Sequence, residues 1–162
     1  MSSRNDNLAK TVLRDPVHIL AFGFGTGLVP FAPGTVGSLL GVALAWLTID
    51  LGMVWQLAVG AAIVIAGIWI CGESARRLGI HDHSGIVWDE ICGMYLTLLV
   101  APSDITAWIL AFGLFRAFDI VKPWPIRDLD HRLGGGVGIM LDDLVAALYA
   151  ALLLALYGWL MT

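Results

Sequence analysis

The sequence predicts an all-α fold: a polytopic membrane bundle of four to five apolar helices joined by short cytoplasmic loops. Hydrophobic residues make up 59% of the 162 residues and charged residues only 14%. A typical globular protein has roughly 25% charged residues, so too little charge is present to coat a soluble surface. The mean hydropathy is +0.84. The 7 Trp and 19 Gly also indicate a membrane protein, because Trp favours membrane interfaces and Gly is frequent in transmembrane helices.

Composition also excludes several classes of protein. The net charge is -4 and no Lys/Arg run appears, which argues against a nucleic-acid partner. Cys71 and Cys92 have neither metal-type nor redox spacing, so each is interpreted as a small apolar residue. We expect one membrane-embedded domain over residues 1–162, with residues 1–15 as a polar cytoplasmic tail and no cleaved signal peptide.

The first apolar segment, residues 17–28, is too short to span a membrane and is broken by three glycines. We expect a half-buried helix that leads into a loop. Two helical hairpins follow. The first joins residues 35–49 to residues 54–71 through the turn 50–52, and the second joins residues 86–101 to residues 105–118 through the turn 102–104.

The last apolar segment, residues 144–161, completes the five helices, of which several are short. The segment 86–101 would reach only about 24 Å as a helix, less than the roughly 30 Å hydrocarbon core. Charged residues at such a helix end would lie at or below the lipid headgroups, so we expect local bilayer thinning or a recessed site.

Basic residues predict the orientation of the bundle. All nine Lys and Arg lie within residues 4–14, 76–77 and 116–132, and neither hairpin turn contains one. If each hairpin crosses out and back, every positive charge lies on one side, which the positive-inside rule assigns to the cytoplasm. The C-terminus is then expected outside.

Most acidic residues fall on the same predicted side and many adjoin apolar spans: Asp82, Asp89, Glu90, Asp119, Asp128, Asp130, Asp142 and Asp143. Carboxylates near lipid are costly unless paired or bound to a cation. One interpretation is that the two adjacent-acid pairs begin their helices and complement the helix dipoles. The other is a Mg²⁺ site, since Mg²⁺ prefers oxygen ligands and is often held by carboxylates together with substrate phosphate.

Arg116, Asp119 and Lys122 recur at i, i+3 and i+6. If the helix continues to residue 121 or 122, they share one face, and Pro123 then stops the helix. A carboxylate between two cations suits a site that holds a metal and a phosphate. A salt bridge at a helix end, with snorkelling basic side chains, explains the same pattern.

Two glycine-rich stretches lie near these residues. The first, residues 23–38, offers backbone N–H groups and a helix N-terminus to an anion, so Thr26, Gly34 and Thr35 are candidate phosphate-binding residues, with Arg127 downstream. Its Gly37 and Gly41 also form a GxxxG pattern, which can mean only close helix packing. The second stretch, residues 134–138, precedes Asp142 and Asp143, and we expect it to bend around the same site. His81, Asp82 and His83 are a weaker alternative metal site.

In these residues the sequence resembles the phosphatidylglycerophosphatase A family. The resemblance lies in GFGTGLVPFAPGTVGS (23–38), IVWDEICGMYLTLL (86–99), FRAFDIVKPWPIRDLD (115–130) and GGGVGIMLDDLVA (134–146). It implies a Mg²⁺-dependent phosphatase of the bacterial inner membrane that acts on a lipid headgroup. With the orientation predicted from the basic residues, its active site faces the cytoplasm. The implied substrate is phosphatidylglycerophosphate, and the implied products are phosphatidylglycerol and phosphate.

The resemblance assigns the family's motif acids and bases to this chain. They are Asp89, Glu90, Asp119, Lys122, Asp142 and Asp143, with Arg116 in the same block. Asp89, Glu90 and Asp119, with Asp142 or Asp143, are expected to hold one or two Mg²⁺ ions. Attack by a metal-activated water and attack by a carboxylate remain open. A transporter of ions or small anions, a non-catalytic assembly factor and the oligomeric state also remain open.

Overall fold

The computed structural model describes residues 8–80, 83–124, 126 and 134–161. Within these ranges the chain forms helices and no strand, which confirms the all-α part of the prediction. The elements are α1 (Pro16–Ala21), a 3-10 segment (Gly23–Leu28), α2 (Pro33–Leu47), α3 (Met53–Leu78), α4 (Trp88–Leu98), α5 (Ile105–Val121) and α6 (Gly135–Met161).

Two of these helices, α3 and α6, are long and apolar enough to cross a membrane. The apolar α2 has 15 residues, α4 has 11 and α5 has 17. The described helices therefore match the predicted apolar segments in order, and two of them have the length and hydropathy of full spans. The predicted shortness of the third segment is even more marked in α4.

The second predicted span ends later in the structure than the sequence predicts. Instead of ending near Cys71, α3 continues to Leu78 and ends at Gly79, which has the left-handed φ of +67° that favours glycine. Polar pairing stabilises the added turns. Glu73 accepts hydrogen bonds at 2.7–2.8 Å from Arg76 and at 2.7 Å from Arg77, at i+3 and i+4.

The last helix begins earlier than predicted, at Gly135 rather than near residue 144. The glycine-rich stretch is helical from Gly135 because it packs tightly on α3. A Cβ at Gly136 would overlap the carbonyl of Ile68 and lie 2.8 Å from the backbone nitrogen of Gly72. The expectation of a loop around the site was therefore wrong from Gly135 onward.

This early start changes the interpretation of the second acidic pair. Asp142 and Asp143 lie in the interior of α6, more than a turn after its first residue. Dipole complementation at a helix start therefore does not explain them, whereas Asp89 and Glu90 do lie in the first turn of α4.

The predicted turns are both present. Asp104 caps α5 by accepting a hydrogen bond from the backbone N–H of Ala107 at 2.9 Å. At the α2–α3 turn, Gln56 donates from Nε2 to the carbonyl of Thr48 at 3.0 Å, and Tyr95 on α4 donates to the carbonyl of Gln56 at 3.0 Å. These hydrogen bonds connect the first hairpin to α4.

Helix α4 is the centre of the bundle, packed against α2, α3, α5 and α6. Its contact with α2 depends on the GxxxG glycines. A Cβ at Gly37 would lie 2.7 Å from Cβ of Val87, and a Cβ at Gly41 would lie 2.6 Å from the carbonyl oxygen of Ile91. The close-packing interpretation of this pattern is confirmed.

Candidate active site

The start of α4 is held in place by bonds to two other helices. Val87 donates from its backbone N–H to the carbonyl of Ala21 at 2.8 Å, and the Trp88 indole donates to the carbonyl of Ile63 at 3.0 Å. Because Asp89 and Glu90 follow at once in the first turn, these bonds fix where their carboxylates lie.

Asp143 on α6 reaches the same place. Gly93 on α4 allows this approach, because a Cβ there would lie 2.6 Å from the ring of Phe115 and 3.1 Å from the backbone oxygen of Asp143. One carboxylate oxygen from each of Asp89, Glu90 and Asp143 lies within 4.8 Å of the other two. We call these three residues the acidic cluster.

Helix α5 adds a cation and a fourth carboxylate to the acidic cluster. Nη1 of Arg116 forms an ion pair with Oδ2 of Asp119 and lies 3.9 Å from Oε1 of Glu90. The Asp119 carboxylate is also close enough to Asp143 to interact with it electrostatically. Arg116 and Asp119 therefore stand one turn apart on α5, as predicted, and both face the acidic cluster.

Lys122 departs from the predicted shared helical face. Helix α5 ends at Val121, and Lys122 follows as its C-cap in a left-handed backbone conformation with φ 45°. Its Nζ donates a hydrogen bond to Oδ2 of Asp142 at 2.5 Å. Lys122 thus connects the end of α5 to α6 and joins the second predicted acid to the edge of the site.

Burial and charge explain why a cation fits here. Asp89, Asp142 and Asp143 are buried, and the side chains of Glu90, Asp119 and Arg116 are 12–15% exposed. If all are ionised, these five carboxylates exceed the charge of Arg116 and Lys122 by three. Oε2 of Glu90 and Oδ2 of Asp143 are buried and accept no hydrogen bond within the described chain. Such oxygens suit a hard divalent cation, which would compensate their desolvation.

The glycine-rich segment brings one of its three candidate residues to the acidic cluster. A Cβ at Gly34 would overlap Oε1 of Glu90 and lie 3.1 Å from Nη1 of Arg116. The backbone N–H of Thr35 donates to Ala32 at 3.0 Å, and the hydroxyl of Thr26 donates to Gly23 at 2.9 Å. These two donors serve the local backbone, and the predicted Arg127 lies outside the described residues.

The acidic cluster is recessed relative to α3. Trp88, beside Asp89, contacts α3 at Ile63 and Gly67, near the middle of that helix. Beyond Gly67, α3 continues to Leu78, about 16 Å along its axis.

A cavity of about 440 Å³ opens beside the site. Its walls include His83, Ser84 and Pro33, and Pro33 directly precedes the Gly34 that touches Glu90. His83 accepts a hydrogen bond at Nδ1 from the backbone N–H of Gly85 at 3.0 Å, so in the neutral ring the proton is on Nε2. The alternative metal site of the sequence also needs His81 and Asp82, which lie outside the described residues.

Sequence reasoning missed a buried pair that fixes α1. His18 is 2% exposed, and its Nδ1 lies 2.8 Å from the hydroxyl of Ser74 on α3. Asp15 accepts a hydrogen bond from Arg77 at 2.6 Å and lies 4.0 Å from Nε2 of His18. The two members of the pair are 56 positions apart, so no spacing pattern signals their contact.

The comparisons with known proteins agree on one family. The sequence model of the family described as Phosphatidylglycerophosphatase A matches residues 19–157. A phosphatidylglycerophosphatase A of Haemophilus influenzae is 44% identical over 162 residues, covering 98% of this chain and 99% of the relative. That of Escherichia coli is 43% identical over 159 residues, covering 96% and 92%.

A third relative is named after a different lipid substrate. This protein of Bacteroides thetaiotaomicron, provisionally named a phosphatidylinositol-3-phosphatase, is 40% identical over 151 residues, which is 87% of this chain and 92% of the relative. No solved structure gives a significant match.

Proposed function

The chain belongs to the phosphatidylglycerophosphatase A family, and we propose that it hydrolyses the terminal phosphomonoester of phosphatidylglycerophosphate. The reaction forms a bond between phosphorus and a water oxygen and breaks the bond to the glycerol oxygen, which takes up a proton. The products are phosphatidylglycerol and inorganic phosphate. The observation that carries the proposal is the buried acidic cluster beside Arg116.

We propose Mg²⁺ as the cofactor of this reaction, held by Asp89, Glu90 and Asp143 with Asp119 or Asp142 at its edge. Their buried carboxylate oxygens are the hard ligands that Mg²⁺ prefers. When bound, the ion polarises the phosphoryl group and offsets the negative charge of the acids. The carboxylates hold their positions because α4 and α6 are packed through Gly93.

The basic residues are proposed to bind the phosphoryl oxygens. Arg116 presents a planar set of donors that fits phosphate, and its ion pair with Asp119 aims the guanidinium at the acidic cluster. Lys122 holds α5 to α6 through Asp142 and adds positive charge. Gly34 lets the start of α2 lie directly against Glu90, and Thr26, Thr35 and Arg127 remain proposed substrate contacts.

The proposed membrane arrangement is multi-pass, in the inner membrane, with one domain and the site facing the cytoplasm. Two described helices have the length and hydropathy of spans, and the basic residues flank the ends of helices that lead to the site. The recess of the acidic cluster relative to α3 suits a substrate whose phosphate is attached to a membrane lipid. The two relatives that match almost end to end are named as phosphatases, which gives no support to the transport alternative.

Phosphate release by the purified protein in mixed micelles tests this proposal. We expect release from phosphatidylglycerophosphate with Mg²⁺, none with EDTA, and none from the Asp119→Asn variant. The matched control is Asp50→Asn, because Asp50 is exposed in the α2–α3 turn. Phosphatidylinositol 3-phosphate serves as the competing substrate. Failure of the folded, Mg²⁺-supplied protein to release phosphate from phosphatidylglycerophosphate would reject the proposal.

A further inference from the structure

An apolar groove lies between α2 and α5. It has a volume of about 260 Å³, and its walls are Leu39 and Val42 on α2 with Ile105, Trp108, Ile109 and Phe112 on α5. No wall residue is charged, so the groove suits a hydrocarbon chain rather than a polar headgroup.

The groove is open from the side of the bundle. Both α2 and α5 pack on α4, and they are not a closely packed pair with each other. Leu39 is 54% exposed, Ile105 75% and Ile109 66%. A lipid can therefore enter between the two helices from the surrounding bilayer without displacing a packed helix.

The groove leads to the proposed active site. The same two helices meet the acidic cluster at Gly34 and Arg116. Leu39 follows Gly34 by five positions and Phe112 precedes Arg116 by four, which places the near end of the groove about 6 to 7.5 Å from these residues along the helix axes. Apolar walls thus begin where the charged residues end.

The distance from Arg116 to the far end of the groove matches one lipid leaflet. From Arg116 to Ile105, α5 extends over eleven positions, about 16 Å. This is about half of the roughly 30 Å hydrocarbon core. A lipid whose phosphate lies at Arg116 therefore has space for one extended acyl chain beside α5.

We infer that one acyl chain of the lipid substrate binds in the groove between α2 and α5, and that the substrate enters the site laterally through this gap. The inference rests on the proposed function, because it concerns the lipid part of the same substrate. It makes Leu39 and Ile109 determinants of chain-length preference, with no contact to the reacting phosphate.

A second apolar groove provides a matched control. It has a volume of about 220 Å³ and is lined by Leu96 on α4 and by Leu144, Ala147, Leu148 and Ala151 on α6. Here α4 and α6 are closely packed, so the groove is a surface depression without a gap between helices. Leu148 is 55% exposed, much like Leu39.

The test compares dipalmitoyl and dihexanoyl phosphatidylglycerophosphate as substrates for Ile109→Trp, Leu39→Trp and Leu148→Trp. We expect Ile109→Trp and Leu39→Trp to raise KM for the dipalmitoyl lipid at least tenfold and to change KM for the dihexanoyl lipid less than twofold. We expect Leu148→Trp to change neither. Equal effects on both lipids, or an equal effect of Leu148→Trp, would overturn the inference.

Photo-crosslinking tests the inference with the wild-type protein, so it does not require the Trp variants to fold. A phosphatidylglycerophosphate analogue with a diazirine near the end of one acyl chain should label residues 39–42 or 105–112. Labelling confined to α6 would overturn the inference. Absence of phosphate release from both lipids by wild-type protein would instead reject the proposed function, so the two failures are distinguishable.

Discussion

The backbone of Gly34 on α2 lies against the carboxylate of Glu90 on α4, with no space for a methyl group between them. The only side chain that fits there is a hydrogen atom. The start of α2 therefore forms one wall of the site through close backbone approach. A Cβ at Gly34 would also lie 3.1 Å from Nη1 of Arg116.

We predict that Gly34→Ala lowers kcat/KM for phosphatidylglycerophosphate at least tenfold, because the added methyl displaces the Glu90 carboxylate. Gly113→Ala is the matched control. Gly113 is also helical, and a Cβ there meets nothing within 4 Å. Steady-state phosphate release measures both variants, and wild-type activity in Gly34→Ala would contradict the role assigned to this contact.

We predict that the activity of the site requires the guanidinium of Arg116, because a positive charge alone does not reproduce its planar set of hydrogen-bond donors. Arg116→Lys keeps the positive charge but loses the planar donors that face Asp119 and Glu90. We expect kcat to fall roughly 10- to 100-fold, a loss of about 1.4 to 2.7 kcal/mol in transition-state stabilisation. Arg76→Lys, an exposed arginine paired with Glu73, should retain wild-type kcat. Equal kcat values for the two variants would contradict the prediction.

The fold class was predictable because low charge and apolar segments depend only on composition and order. Helix ends were less predictable. The end of α3 depends on the pairing of Glu73 with Arg76 and Arg77, and the start of α6 depends on the contact of Gly136 with Ile68. Neither contact can be predicted from hydropathy. The Glu73 pairs extend an apolar helix by polar turns, and the Gly136 contact places glycines, which are poor helix formers, inside a helix.

The residues of the acidic cluster were predictable as a set, and the pairing of the charged residues around it was not. Carboxylates beside apolar spans signal a cation wherever the fold brings them together, which identified Asp89, Glu90 and Asp143. Lys122 was placed with Asp119 by helical periodicity, but α5 ends at Val121 and Lys122 bonds to Asp142. The positioning role of Gly93 depends on a contact between three helices, which no local pattern encodes.

His18 is predicted to make a contribution to the stability of the fold that is lost in mild acid. Burial lowers the pKa of His18 below its usual range. Below about pH 6.5 the unfolded chain therefore binds a proton that the folded protein does not, and the folded state loses stability. We expect the wild-type Tm in detergent, measured relative to that of His18→Gln, to be lower at pH 5.5 than at pH 7.5. His83→Gln should show the same pH dependence of Tm as the wild-type protein, and an equal pH dependence of Tm in wild-type protein and His18→Gln would contradict the assignment.

Cysteine labelling should report the orientation of the bundle. Cys71 and Cys92 are fully buried, so the wild-type protein should give little background with a membrane-impermeant thiol reagent. Asp50→Cys lies in the exposed α2–α3 turn and should react from outside the cytoplasmic membrane. Arg77→Cys, at the opposite end of α3, is the matched position and should react only after the membrane is opened. The reverse pattern would overturn the proposed orientation.

Titration of purified protein with Mn²⁺, followed by electron paramagnetic resonance, tests the central claim that the acidic cluster holds a divalent cation. Mn²⁺ accepts the same oxygen ligands as Mg²⁺ and has a direct signal. We expect wild-type protein and Asp50→Asn to bind Mn²⁺ in competition with Mg²⁺, and Asp143→Asn to bind it at least tenfold more weakly. Equal Mn²⁺ affinity in wild-type protein and folded Asp143→Asn would contradict the claim.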